Sequence, residues 1–360
     1  MQVRPIDSRR MFLASTALAG SVGTIRDCET QAGFASTPTS PLIDCQSHLF
    51  CPELVRRMEL SKSDPSISIK DGIRTLKMGD WFRKIPDWYM SVEKKIESMD
   101  AAGITMTAIS INDPGPEWFG QSGLEVARIA NDYIASVVSS HPTRFFGLCV
   151  LPFQDIQASV NELNRCVEVL GMRGVLLYTN LAGAFADEPQ FAPFWQRAEM
   201  LGVPVLLHPA KPITIEQVKA YEMTSTLGNM FENTIALTRI VVSGLLDRYP
   251  NIKLVCPHLG GTLPYILGRL DHQLTVLKRG PRLPQAPIEY LRRIWFDIVS
   301  PLPEAILFCH SLFGSHRLLY SSDHPWVEPS VILSALEKTG LSQEDQERIK
   351  YLNARALFGL

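Results

Sequence analysis

No stretch of about twenty consecutive apolar residues occurs in the 360 residues, so a membrane-spanning helix is not expected in the mature protein. Positive charge is not in surplus either. Lys and Arg total 35 against 37 Asp and Glu, a formal net charge of −2. That balance offers no basic surface to a nucleic acid. The seven cysteines are an odd number, and Cys45, Cys149 and Cys256 sit inside apolar runs. Buried free thiols are expected there, not a disulfide framework. No glycine-rich phosphate loop follows the first apolar run, which disfavours a doubly wound dinucleotide-binding sheet. No internal repeat or low-complexity tract is evident.

At the N-terminus, Ser8-Arg9-Arg10-Met11-Phe12-Leu13 leads into a short apolar stretch ending near Ile25. This order resembles a twin-arginine export signal, with Gly33-Phe34-Ala35 offering a cleavage site before Ser36. Residues 1–35 are expected to be the signal and 36–360 the folded domain. The expected location is the periplasm or beyond, or the cytoplasm if the arginine pair is fortuitous. Twin-arginine export carries folded proteins, so a metal loaded in the cytoplasm can travel with the chain.

From residue 42 onward, runs rich in Val, Ile and Leu recur at 42–48, 104–111, 145–152, 172–179, 203–209, 252–258, 294–299 and 317–322. Amphipathic stretches lie between most of them. Short apolar runs alternating with helical segments predict βαβ units and a parallel sheet. Eight strands is the number that closes a (β/α)8 TIM barrel, which is the fold expected here. Residues 51–90, after the first strand, and 210–230, after the fifth, are expected to rise over the catalytic face, the first of them as a lid. Residues 328–360 read as two helices packed below the barrel.

Four of these runs finish on chemically useful side chains. Ile43-Asp44-Cys45-Gln46-Ser47-His48 ends on His48, VPVLLHP on His208, IKLVCPHLGG on His258, and LLYSSDHPW runs out into Asp323. A single strand-end His is more often a hydrogen-bonded structural residue. Four such residues at four strand ends argue instead for one site at the barrel mouth. Imidazole and carboxylate together suit Zn²⁺ or Mn²⁺ and leave room for an activated water. Alternation along a strand puts Asp44, Gln46 and His48 on one face, which makes Gln46 the anomaly.

Tyr249-Pro250-Asn251-Ile252-Lys253-Leu254, His258-Leu259-Gly260-Gly261, Pro264 and Gly268-Arg269 form the most specific segment. With Ile96–Gly103, His141–Phe146 and Ser322-Asp323-His324-Pro325, the chain resembles the amidohydrolase superfamily. The resembling branch contains 2-amino-3-carboxymuconate-semialdehyde decarboxylase and aromatic-acid decarboxylases. The resemblance implies His48, His208 and Asp323 as metal ligands and His258 with Asp323 as proton-transfer groups. It implies Arg269 as a carboxylate-binding residue reaching across a homodimer interface, and Arg83 as a second one on the lid. The family places His, or in some decarboxylases Glu, where this chain has Gln46. A neutral amide oxygen is a poorer ligand than either, so Gln46 is a weak fourth ligand or only a neighbour.

The implied activity is decarboxylation of a small aromatic or unsaturated carboxylic acid. Hydrolysis of a lactone, ester or amide, with or without metal, would use the same residues and stays open. A barrel that has lost catalysis is the remaining reading, and it rests on Gln46 alone.

Overall fold

The computed structural model describes residues 41–360, so the expected export signal lies outside the described residues. Eight parallel strands form one sheet in the order β1 (Ile43–His48), β5 (Met106–Ser110), β6 (Phe145–Cys149), β7 (Gly174–Tyr178), β8 (Val205–His208), β9 (Leu254–Cys256), β10 (Trp295–Asp297) and β11 (Leu318–Leu319). Every expected barrel strand is present, each shorter than its apolar run. The two ends of the sheet are joined by backbone hydrogen bonds. Cys45 N–H donates to the Tyr320 carbonyl at 3.0 Å, Asp323 to Gln46 at 3.0 Å and His48 to His324 at 2.7 Å. The sheet thus curls into a parallel barrel, with the helices between the strands completing the (β/α) alternation.

The connecting helices begin and end where local chemistry dictates. Ser91 and Asp155 accept N–H bonds from Lys94 and Ala158, capping the helices Val92–Ala101 and Ile156–Asn164. Proline occupies the first turn of Pro303–Phe313 and Pro329–Glu337, where its missing N–H costs nothing. The C-terminal segment packs beneath the barrel as expected. Asn353 Nδ2 donates to the carbonyls of Ser315 and Leu318, and Arg173 donates to those of Phe358 and Gly359.

The segment after β1 holds more structure than the sequence reading gave it. A helix, Pro52–Leu60, precedes an antiparallel three-stranded sheet of β2 (Ser66–Lys70), β3 (Ile73–Met78) and β4 (Trp81–Ile85). The β2–β3 turn is Asp71-Gly72 with φ of 51° and 74°, the two positive values a tight hairpin of primed type needs. Ile67, Leu76, Met78 and Ile85 bury one face of this sheet against Phe50, Val55 and Met58. Trp81 packs separately with Ile215 and Val218, and Lys219 pairs with Asp80 at 3.0 Å. The small sheet is thereby tied to the segment after β8. Among the described residues, no helix is long and apolar enough to cross a membrane.

Candidate active site and metal centre

At the C-terminal ends of the strands, three histidines singled out in the sequence converge on one carboxylate, that of Asp323. Asp323 Oδ1 lies 3.1 Å from His48 Nε2 and 3.9 Å from His208 Nε2, while its Oδ2 lies 3.7 Å from His258 Nε2. All four are buried or nearly so. Burial alone would raise the Asp323 pKa, but the surrounding imidazoles outweigh it and hold the carboxyl well below the usual range. The His48 pKa is also lowered, pushed down to about 4 by burial and by His208 beside it. The His258 pKa is raised, because the Asp323 carboxylate overcomes the cost of burying the imidazolium.

The ring nitrogens facing away from Asp323 determine which atoms are free. His208 Nδ1 lies 2.9 Å from the Pro209 carbonyl, which can only accept, so the proton is on Nδ1 and the Nε2 lone pair is free. His48 Nδ1 is held at 3.1 Å by Ser110 Oγ. One ligand atom from each of His48, His208 and Asp323 lies within 4.8 Å of the others. Two imidazole nitrogens and one carboxylate oxygen fit a divalent transition cation with an open position for an exchangeable ligand.

Gln46 sits beside this trio. Its Nε2 donates to Asp323 Oδ1 at 3.1 Å, and its Oε1 is buried without a partner. A buried amide oxygen with no other partner at that point suits a weak fourth ligand. Replacing Gln46 by His should tighten metal binding severalfold, read by competition against a chelator. Unchanged affinity would place the side chain outside the coordination sphere.

The expected common face of Asp44, Gln46 and His48 needs correcting. The β1–β5 register shifts between Asp44 and Ser47, so alternation does not run unbroken along β1. Gln46 and His48 reach Asp323, whereas Asp44 binds the Ser322 N–H at 2.9 Å and the Ser322 hydroxyl at 2.5 Å. Asp44 therefore fixes the segment that carries Asp323. That segment is strained, with Asp323 at φ 60°. Left-handed backbone at a non-glycine residue persists only where its surroundings over-determine it.

Three supporting residues escaped the sequence reading. Lys95 Nζ is buried and donates to the carbonyls of His48 at 3.1 Å and His324 at 3.2 Å. It ties the end of β1 to the loop after β11. It follows the exposed Lys94 on the helix Val92–Ala101, so nothing local marked it. Asn233 Nδ2 lies 3.0 Å from His258 Nδ1; an amide N–H₂ donates, which directs the His258 N–H toward Asp323. Asp297 accepts the His258 backbone N–H at 2.7 Å. The polar ending of strand β10 was the available signal for it.

These groups open onto a cavity of about 550 Å³. Trp81, Trp326, Met230, Val299 and Val327 form its apolar walls, and Ser225, Thr226 and Asn229 come from the segment after β8. Arg83 also lines it, but its guanidinium is occupied. It donates to Asp113 Oδ1 at 2.7 Å and Asn112 Oδ1 at 3.1 Å, and stacks 4.1 Å over the Trp81 ring. Arg269 is elsewhere, on the exposed face of the helix Leu263–Asp271 and outside the lining of this chain's cavity.

A family model described as amidohydrolase matches residues 43–360. The gamma-resorcylate decarboxylase of Polaromonas sp. (strain JS666) is 32% identical over 74% of this chain and 87% of its own length. The 2-amino-3-carboxymuconate-6-semialdehyde decarboxylase of Dictyostelium discoideum is 28% identical over 78% of this chain and 80% of its own. A crystal structure of dihydroxybenzoic acid decarboxylase from Polaromonas sp. JS666, with bound manganese and the inhibitor 2-nitroresorcinol, superposes with a TM-score of 0.73. It is 26% identical and covers 89% of this chain and 98% of that one.

Proposed function

The chain belongs to the amidohydrolase family, and from that membership we propose that it is a metal-dependent decarboxylase of a small aromatic carboxylic acid. The observation that carries this reading is the convergence of three histidines on Asp323 at the floor of an apolar-walled cavity. His48, His208 and Asp323 would hold the cation, with Gln46 as a weak fourth donor. A manganese-containing relative supports a divalent metal; zinc suits the same donors, and metal analysis of protein purified without chelator decides between them. When bound, the cation supplies Lewis acidity toward a substrate oxygen.

The chain's own residues manage the proton. His258 presents its N–H toward Asp323, and the pair holds one proton next to the cavity. In the proposed reaction that proton passes to the ring carbon bearing the carboxylate. The C–C bond then breaks, its electron pair restores the aromatic ring, and CO2 departs. Solvent returns the proton, so one proton is consumed for each CO2 released. The small sheet β2–β4 would act as the lid, since Trp81 and Arg83 bring its edge into the cavity wall and help exclude water.

Arg269 would complete the site in a homodimer, reaching a substrate carboxylate in the partner subunit's cavity. Its exposure, with Tyr265 and Ile266 exposed on the same helix, supports an interface there. Arg269→Ala should raise KM for the acid about tenfold or more, as loss of a charge-assisted pair does. An unchanged KM would sink that role. We also propose export of the chain through residues 1–35; a mature N-terminus near Ser36 in a periplasmic fraction is the expected result.

The deciding assay follows CO2 release and ring opening separately, on hydroxybenzoates, muconate-like acids and lactones with metal added. CO2 from an aromatic acid is the expected signal. Lactone opening without CO2 would assign the same residues to hydrolysis.

A further inference from the structure

Thirteen buried side-chain polar atoms among the described residues lack a hydrogen-bond partner, and five of them lie in one place. They are Asn112 Nδ2, Asp113 Oδ2, both carboxyl oxygens of Glu117 and Tyr178 Oη. Leaving such groups unpaired costs stability, and buried polar atoms are paired in most folded proteins. A cluster of them beside a cavity calls for a ligand.

The cluster is local. Glu117 follows the Asn112-Asp113 pair on the loop after β5, and Tyr178 ends β7. A Cβ on Gly115 would meet Tyr178 Cε2 at 2.2 Å and Glu117 Oε2 at 2.4 Å, so those two side chains converge on a glycine that must stay bare. Asn112 and Asp113 line the catalytic cavity itself. The Tyr178 ring stands edge-on to His208 with centroids 6.0 Å apart, which sets the cluster beside one of the histidines that face Asp323.

Arg83 determines which atoms are left over. A guanidinium can only donate, so it must hold Asn112 and Asp113 by oxygen. That leaves the Asn112 N–H₂ as a free donor and one Asp113 oxygen as a free acceptor. The Arg83 charge is meanwhile matched by Asp113. Burial pushes the Glu117 carboxyl up to about 8, so at neutral pH it is an uncharged acid with an O–H to give. The cluster therefore offers both donors and acceptors with no net charge, which suits a hydroxyl and disfavours a second carboxylate.

We propose that Asn112, Asp113, Glu117 and Tyr178 form a subsite that binds a neutral ring hydroxyl of an aromatic acid, with Arg83 as the positioning residue that orients it. The subsite deepens the decarboxylase reading and rests on it for the ligand's class. Its test is binding to metal-loaded protein, measured by quenching of tryptophan fluorescence. The probes are 2-hydroxybenzoate, its analogues with one further ring hydroxyl, and the analogues with a carboxylate in place of that hydroxyl.

The wild-type protein should bind the best hydroxylated analogue about tenfold tighter than the matching dicarboxylic acid, the scale of one or two well-made hydrogen bonds. Asp113→Asn should reverse that order. Arg83 would hold the new amide by its oxygen, turning the free acceptor into a donor beside an unmatched positive charge. Tyr178→Phe removes a hydroxyl that is unpaired without ligand. It should raise the unfolding temperature of ligand-free protein while weakening the hydroxylated acid severalfold. The same preference, within twofold, in wild type and both variants overturns the subsite. If Asp113→Asn does not fold, an unaltered affinity in Tyr178→Phe overturns it alone. CO2 release is followed in parallel: a hydroxyl preference without CO2 from any acid would remove the decarboxylase reading and leave the subsite standing.

Discussion

Asp323→Asn is expected to lower kcat for decarboxylation by about 10²–10⁴, the usual range for removing a positioned acid–base group. Two losses act together. The variant gives up the only carboxylate among the three clustered ligand atoms, so metal affinity falls. It also gives up the charge facing His258 at 3.7 Å, and with it the attraction that raises the His258 pKa. Assays at saturating metal separate the two, because only the second loss survives there. The fold should hold, since the Asp323 backbone bond to Gln46 and the Asp44–Ser322 lock are untouched. A variant within about tenfold of wild type at saturating metal would remove Asp323 from the chemistry.

Gly261→Ala is expected to destabilise the protein by about 2–5 kcal/mol, summing overpacking with the cost of a left-handed backbone at a residue bearing Cβ. Gly261 has φ 65°, and an added Cβ would stand 2.4 Å from the Met230 carbonyl oxygen and 2.7 Å from Thr234 Oγ1. The first of these is backbone and cannot rotate aside. Met230 and Thr234 belong to the helix Asn229–Val242, which also carries Asn233. Pushing that helix outward lengthens the 3.0 Å contact from Asn233 to His258, so activity should fall with stability. Denaturant unfolding with kcat measured on the same preparation checks both. A midpoint within about 0.5 kcal/mol of wild type, the scatter of ordinary surface substitutions, would show that the turn can relax.

The run His258-Leu259-Gly260-Gly261 shows how far the sequence alone could be read. It identified the segment as the most distinctive of the chain. It did not announce that His258 and Leu259 would also take positive φ, at 53° and 55°. That conformation is imposed from outside the segment, by Asp297 holding the His258 N–H and the helix after β8 crowding Gly261. The β2–β3 hairpin was different, because its signal was present and unread. Asp71-Gly72 between short alternating runs is a local turn signature, and it lay inside a stretch taken only as a covering segment.

The arginines mark another limit. Arg83 was expected to meet a carboxylate, and it does line the cavity, yet Asp113 already occupies it. No local pattern could report a partner thirty positions away. Arg269 stands exposed on its helix, outside the lining of the cavity.

By itself the sequence determined the eight strands, their alternation with helices, and the placing of His48, His208, His258 and Asp323 at strand ends. Those are consequences of hydrophobic periodicity and chain direction, which act over a few residues and survive in any context. Tertiary structure alone decided which atom each of those side chains leaves free. That choice belongs to the partners: Pro209 and Ser110 turn two imidazoles, Lys95 and Asp44 lock the strands bearing His48 and Asp323, and Arg83 consumes one oxygen each from Asn112 and Asp113. A hydrogen bond has one donor and one acceptor, and only the folded chain brings the second of them into place.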